Sequence, residues 1–366
     1  MVGKIVTFPK ICVREAMAVA CVMLVNGRCF GRSCLRVGAS GSEVPRIKLS
    51  NGAEMPAIAL GAYLGFDENG IIRPREHNLR DVIVRAIDVG YRHFDTASIY
   101  ETEAEVGQAV RLKIAEGAVH RHDIFITTKL WNTQHRRDQV VSSLKESLKK
   151  MGLSYVDLYL MHWPIGLNED YSYSDADYME TWRGLEDAQW LGLTRSIGVS
   201  NFNQDQLQRV IAEGSIKPVA LQIEIHPQLV QQELVDFAQR QGIVVMGYSP
   251  FGSLVKRFGV KLPGPQIDDS TLVEIAKKFN KTTPQVVLRW LVDRNIVPIA
   301  KTMSCKRLKE NINIFDFQLN DADKTKINNF NENRRYTFPT FWQSHLYYPF
   351  EKVDNPSTVN PFMPKT

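Results

Sequence analysis

The sequence predicts an α/β fold, a (β/α)8 TIM barrel with an N-terminal β-hairpin and an ordered C-terminal tail. Three observations predict it. Short apolar runs rich in Val, Ile, Leu, Phe and Tyr alternate with stretches of helical periodicity along the chain. Eight strand-helix pairs fit between residues 58 and 314, the length such a barrel needs. The rival, a doubly wound sheet, needs a phosphate-binding G-x-G-x-x-G after an early strand, and the chain has none.

The hairpin comes first, with Arg46 to Leu49 and Met55-Pro56 flanking a turn at Asn51-Gly52. Strands are expected at 57–64, 92–96, 124–129, 156–161, 195–199, 220–225, 243–248 and 296–299, each a short apolar run. Helices are expected at 79–89, 104–114, 137–151, 178–191, 204–213, 231–241, 271–279, 284–294 and 305–314. Gly90, Gly152, Gly192, Gly214 and Gly242 follow five of them, where a left-handed C-cap favours glycine. Thr283 before Pro284 reads as an N-cap followed by the first helical position. Residues 315–366, rich in Phe, Tyr, Trp and Pro, read as an irregular tail laid over the barrel. Residues 249–269, with Pro263, Gly264 and Pro265, form the longest internal loop and read as a flap.

A chain of 366 residues with 44% hydrophobic and 23% charged residues is not a disordered tail, a collagen or a disulfide-dense miniature. Its +5 charge arises in residues 1–42, which carry six Lys/Arg against one acidic residue, whereas the remainder holds 39 of each sign. The basic overall charge therefore says nothing for nucleic acid, whose binders carry a basic patch on the folded body, and no nucleic-acid partner is expected. Cys12, Cys21, Cys29 and Cys34 also lie in that leader, and Cys305 alone lies beyond it, so neither an internal disulfide nor a cysteine-based metal site is expected in the body.

The apolar run from Ala16 to Val25, preceded by Lys4, Lys10 and Arg14, is too short to span a bilayer and has the pattern of a secretory signal peptide. A start at Met17, or an Arg-rich transit or disordered extension, are the competing readings. The expected organisation is therefore a leader at 1–42 and one barrel domain at 43–366, with a secreted product or, alternatively, a cytoplasmic one. Asn280-Lys281-Thr282 is a glycosylation sequon that matters in the secreted case. No later apolar run is long enough to cross a membrane, so no membrane partner is expected.

A barrel places its functional groups just after its strands. Asp95 and Tyr100 follow the second barrel strand, Lys129 closes the third and His162 the fourth. Singly, each has an ordinary structural reading as a cap, a packed ring, a salt bridge or a buried imidazole; their succession on consecutive strand ends does not. Tyrosine, with an ordinary pKa near 10, is a reluctant proton donor, and the Lys129 ammonium, held by Asp95, is expected to lower that value. His162 can hold a substrate oxygen. Giving a proton to an oxygen that gains negative charge is what carbonyl reduction requires, and the hydride then has to come from a nicotinamide. A metal-dependent hydrolase needs more ligands than His162 and His226 offer.

Residues 46–350 resemble the aldo-keto reductase superfamily, through GYRHFDTASIYETEAEVG at 90–107, MGLSYVDLYLMHWP at 151–164, IGVSNF at 197–202 and IVPIAKTMSCKRLKEN at 296–311. The resemblance implies that Tyr100 is the proton donor, that Asp95 and Lys129 tune it, and that His162 binds the carbonyl. It implies NADPH/NADP as cofactor, gripped by Ser200, Asn201, Gln222, Tyr248, Ser249, Leu254, Lys301, Thr302, Ser304, Arg307, Glu310 and Asn311. Lys301 and Arg307 suit the 2′-phosphate and favour NADPH over NADH. The family often has Trp after its first strand and Pro-Lys-Ser at the phosphate, where this chain has Tyr63 and Ala300-Lys301-Thr302. Tyr63 with His162, Trp131 and Trp163 is expected to shape the substrate site, and Phe251, Phe341 and Trp342 to extend its apolar walls.

Within the superfamily the chain is most similar to insect 3-dehydroecdysone 3β-reductases, through ALGAYLGFDENG, MHWPIGLNEDYSYSDADYMETWR and VVMGYSPFGSL. That similarity implies a steroid ketone as small-molecule substrate, secretion into haemolymph and a monomer. The alternatives are a broad aldehyde or aldose reductase, and a barrel that binds NADPH without turnover.

Overall fold

The computed structural model describes residues 44–65, 78–256 and 261–362. The expected leader at 1–42 lies outside them, as do parts of the ALGAYLGFDENG segment and of the expected flap. Strands β1 (Arg46–Lys48) and β2 (Glu54–Pro56) pair antiparallel, with Ile47 opposite Met55. Gly52 turns the chain between them at φ 87°.

Eight parallel strands then close into a barrel: β3 (Ala59–Gly61), β4 (His93–Asp95), β5 (Phe125–Leu130), β6 (Leu158–Met161), β7 (Ile197–Ser200), β8 (Ala220–Glu224), β9 (Val244–Tyr248) and β10 (Ile296–Ala300). Each lies beside its sequence neighbour, and β10 returns to pair with β3 through Ile299 opposite Ala59. Leu49 and Met55 of the hairpin pack with Phe125, Leu158, Leu160, Met246 and Val297 in one buried cluster, so the hairpin plugs the end of the barrel from which the strands start. The catalytic candidates lie at the other end, as the barrel geometry requires.

Helices α1 (Leu79–Val89), α2 (Glu103–Ala115), α3 (Arg137–Met151), α4 (Tyr178–Trp190), α5 (Gln204–Glu213), α6 (Gln232–Arg240), α7 (Ser270–Phe279), α8 (Thr283–Asp293) and α9 (Cys305–Ile312) surround the strands. Gly90 and Gly152 cap α1 and α3 in the left-handed conformation, at φ 110° and 65°. Gly214 departs from expectation: at φ −77° it is extended, and a Cβ there would come 2.6 Å from the Trp182 indole nitrogen. Close packing, rather than left-handed geometry, demands glycine at that site. The cap of α8 is Thr282, not Thr283, because Thr282 accepts from the Gln285 amide N–H while the Gln285 side chain reaches back to the Thr282 N–H.

The tail is less irregular than expected, since it opens on an additional helix, α10 (Asp321–Asn328), capped by Asn320. Beyond α10 it crosses the open end of the barrel. Gln206 and Asn203 at the start of α5 donate to the Tyr347 and Pro349 carbonyls at 2.9 and 3.4 Å, pinning the tail there.

Candidate active site

At the open end, one cavity of about 680 Å³ gathers Tyr63, Asp95, Tyr100, Trp131, His162, Trp163, Ser200, Asn201, Gln222, Tyr248, Ser249 and Lys301 along its lining. Nine of the sequence-derived candidates thus meet the three substrate-site aromatics in one place. Lys129 lies directly beneath, with no exposed surface.

The charges below the cavity form a closed circuit. Lys129 Nζ donates to Asp95 Oδ1 at 2.6 Å, to the Thr96 carbonyl at 2.9 Å and to the Tyr100 hydroxyl at 3.4 Å. An ammonium has three N–H groups, and each now has an acceptor. Asp95 turns its other oxygen to the Gln222 side-chain amide, which donates at 2.7 Å. His162 Nε2 lies 3.4 Å from the Tyr100 hydroxyl on the cavity side. Tyr100 and His162 therefore converge on one point above the buried ion pair.

Electrostatics revise one expectation. The Tyr100 hydroxyl is pushed well above the ordinary tyrosine value, chiefly by burial and then by the negative charge of Asp95. Lys129 was expected to lower it, but Asp95 neutralises that ammonium at contact distance. Burial holds Lys129 below the usual lysine value against the opposing pull of Asp95. Burial, followed by the Lys129 charge, holds His162 well below the usual histidine value, so its imidazole is neutral near pH 7. The pair beneath the cavity is charged, and the two groups facing it are neutral hydrogen-bonding partners.

The backbone is bent to make this arrangement. Glu101, Asn201 and Ser249 have φ of 54°, 60° and 51°, a left-handed conformation costing non-glycine residues roughly 1 kcal/mol or more each. Each stands just after a functional tyrosine or strand end. Asn201 uses its turn to donate to the His162 carbonyl at 3.0 Å and to accept from the Tyr248 hydroxyl at 2.7 Å.

The remaining candidates divide. Leu254 and Thr302 are buried away from the cavity lining. Ser304 spends its hydroxyl capping α9, and Arg307, Glu310 and Asn311 stand on that helix, also off the lining. Lys301 bridges the two groups: it stands exposed at the cavity edge, and no carboxylate among the described residues forms an ion pair with it.

Phe251 and Phe341 line the cavity as expected, whereas Trp342 does not: it is 1% exposed and packs behind Trp131 and Trp163, ring centres 6.0 and 5.6 Å away. Val255, Leu262, Tyr336, Phe338 and Phe362 also stand in the walls, and nothing in the sequence marked them. Among the described residues no cluster of His, Cys, Asp and Glu could hold a metal ion, and no helix is long and apolar enough to cross a membrane.

Residues 57–332 match the aldo/keto reductase family. The chain belongs to that family. Among relatives of this aldo/keto reductase, the Bombyx mori aldo-keto reductase AKR2E4 is 45% identical over 84% of this chain and 99% of its own. Its crystal structure in complex with NADP superposes with a TM-score of 0.80. The structure of aldo-keto reductase AKR2E5 complexed with NADPH is 43% identical, covers 88% of this chain and 98% of its own, and gives a TM-score of 0.83. Mouse estradiol 17 beta-dehydrogenase 5 is 38% identical over 84% of this chain and 98% of its own.

Proposed function

We propose that this aldo/keto reductase uses NADPH to reduce a ketone or aldehyde to an alcohol, and that its substrate is a steroid ketone such as 3-dehydroecdysone. The observation that carries the reading is the convergence of Tyr100 and His162 above the Lys129–Asp95 pair, at the base of a cavity walled by aromatic rings.

The residues present fit a nicotinamide. Because Asp95 can only accept, the amide nitrogen of Gln222 must face it, which leaves the Gln222 carbonyl oxygen as an acceptor. Ser200 and Asn201 line the same cavity; their donors are spent on the Gln222 backbone carbonyl and on the His162 carbonyl, so what they keep for a ligand is acceptor oxygens. A carboxamide, with its N–H donors, complements that set, and the Tyr248 ring offers it a flat face. When bound, the reduced cofactor supplies the hydride that no side chain can supply.

The chain's own residues do the rest. Neutral His162 and the Tyr100 hydroxyl hold the substrate oxygen from two sides and fix its position. As that oxygen gains negative charge, Tyr100 transfers its proton to it. The hydrogen bond from Lys129 to the Tyr100 oxygen strengthens as the phenolate forms, so the ammonium acts where charge develops. The Asp95 and Thr96 acceptors keep the ammonium from turning away.

The steroid reading rests on the walls. Tyr63, Trp131, Trp163, Phe251, Phe338, Phe341 and Phe362 enclose the cavity with flat apolar surface suited to a fused-ring ligand. Competition between 3-dehydroecdysone and simple aldehydes tests it. The ketosteroid is expected to show the higher kcat/KM; turnover of aldehydes alone would leave a general carbonyl reductase.

A preference for NADPH rests on Lys301. Lys301→Ala is expected to weaken NADPH binding by about tenfold to a hundredfold, the value of a charge-assisted hydrogen bond, and to leave NADH nearly unaffected. Fluorescence titration with both nucleotides checks this, and equal losses would show that Lys301 does not meet the 2′-phosphate.

A further inference from the structure

Glu224 ends β8 with no exposed surface, and none of the steps above uses it. Its Oε1 accepts from the Tyr336 backbone N–H at 3.0 Å and its Oε2 from the Thr337 N–H at 2.7 Å. Both oxygens thus serve as acceptors for the tail at the point where it enters the cavity wall. Oε1 also meets His226 Nε2 at 3.1 Å, and since the carboxylate only accepts, His226 carries its proton there. The His226 ring stacks on Tyr336, ring centres 5.0 Å apart.

His226 also reaches the opposite wall. Gly252, at φ 49°, approaches the His226 ring so closely that a Cβ would lie 2.7 Å from it. Gly252 and its neighbour Phe251 line the cavity on the β9 side, while Tyr336, Thr337 and Phe338 line it on the tail side. Two walls separated by more than 80 residues in sequence therefore meet at one buried carboxylate and the imidazole it orients, while the Tyr336 hydroxyl adds a second anchor on Gln228 and on the Pro263 carbonyl.

We propose that Glu224 is a positioning residue: through Tyr336–Thr337 and through His226 it sets the width of the upper cavity and with it the enzyme's preference for bulky carbonyl substrates. The inference rests on the carbonyl-reductase reading of the same site. The tail enters the cavity directly after the two amides that Glu224 holds, so releasing them frees Phe338 and the ring beyond it, Phe341. A ring-bearing ketone packs against those rings, whereas a small aldehyde held at Tyr100 and His162 does not reach them.

Glu224→Gln keeps the side chain's volume but replaces one acceptor with a donor, which faces a backbone N–H or His226 with like polarity. The expected result is a KM for a bulky ring ketone raised about tenfold, with kcat and the small-aldehyde parameters within about twofold of wild type. Hydrogen exchange supplies a second readout: the Tyr336 and Thr337 amides are expected to exchange about tenfold faster while the barrel strands keep their protection. A merely structural role would lower kcat for both substrates together. That equal loss, or unchanged KM with unchanged tail exchange, overturns the proposal. Thr337→Pro removes one of the two N–H donors from the tail side and leaves β8 intact, so it decides by the same criteria where Glu224→Gln does not fold. Wild-type enzyme that turns over neither carbonyl would instead refute the reductase reading.

Discussion

Tyr100→Phe is expected to slow carbonyl reduction by about a hundredfold to ten-thousandfold, the usual contribution of a positioned general acid, while NADPH binds as before. The substitution removes one hydroxyl and keeps the ring. Its centre lies 4.9 Å from that of Tyr63 and 5.5 Å from that of His162, so the packing that shapes the cavity floor survives. What disappears is the only neutral O–H that both faces the cavity and touches the Lys129 ammonium among the described residues. Single-turnover loss of reduced-nicotinamide absorbance, read beside a binding titration, separates the two effects. Because burial and Asp95 raise Tyr100, the donor keeps its proton through neutral pH. The sign for stability follows: the contribution is complete below the ordinary tyrosine value near 10 and is lost as pH rises through the higher folded value.

Lys129→Met is expected to damage both activity and folding. Asp95, 3% exposed, would keep the Gln222 amide as a donor and lose its countercharge. Breaking one half of a buried ion pair costs about 3–5 kcal/mol, a shift that urea unfolding resolves easily. Catalysis should fall by at least about a hundredfold, because the phenolate forming on Tyr100 would meet the charge of Asp95 without the ammonium between them. Adding Asp95→Asn removes the orphaned charge. The double variant is therefore expected to regain most of the lost stability and none of the lost activity, whereas recovery of activity would show that the pair serves the fold alone.

Most of the barrel was legible because its strands are buried and read as short, mainly apolar runs, such as LYLM in β6 and IVPIA in β10, that alternate with stretches of helical periodicity. The catalytic four were legible for a related reason: a strand end fixes a side chain's position along the barrel axis, so Asp95, Lys129 and His162 could be placed from local sequence. Helix α10 was not legible, since DADKTKIN buries only Asp323 and Ile327 and carries no apolar stripe. At α8, two adjacent threonines could each cap the helix, and only the reach of Gln285 decided between them.

The walls of the cavity were hardest to read. Phe362 touches Trp131, ring centres 4.9 Å apart, across more than 200 residues of sequence, and nothing local to either marks the contact. Glu224 and His226 sit at the end of one strand, but their partners Tyr336, Thr337 and Gly252 come from distant segments that no local pattern links to them. The direction of the Tyr100 shift escaped for the same reason. Sequence placed an ammonium nearby, whereas the depth of burial and the 2.6 Å contact that neutralises it are tertiary facts.

The most direct measurement is product analysis after purified wild-type protein is incubated with NADPH and a panel of carbonyl compounds, ketosteroids and aldehydes together. One alcohol is expected for each NADPH consumed, from at least one member of the panel. Tight NADPH binding with no alcohol from any member would contradict it and leave a nucleotide-binding barrel in place of an enzyme.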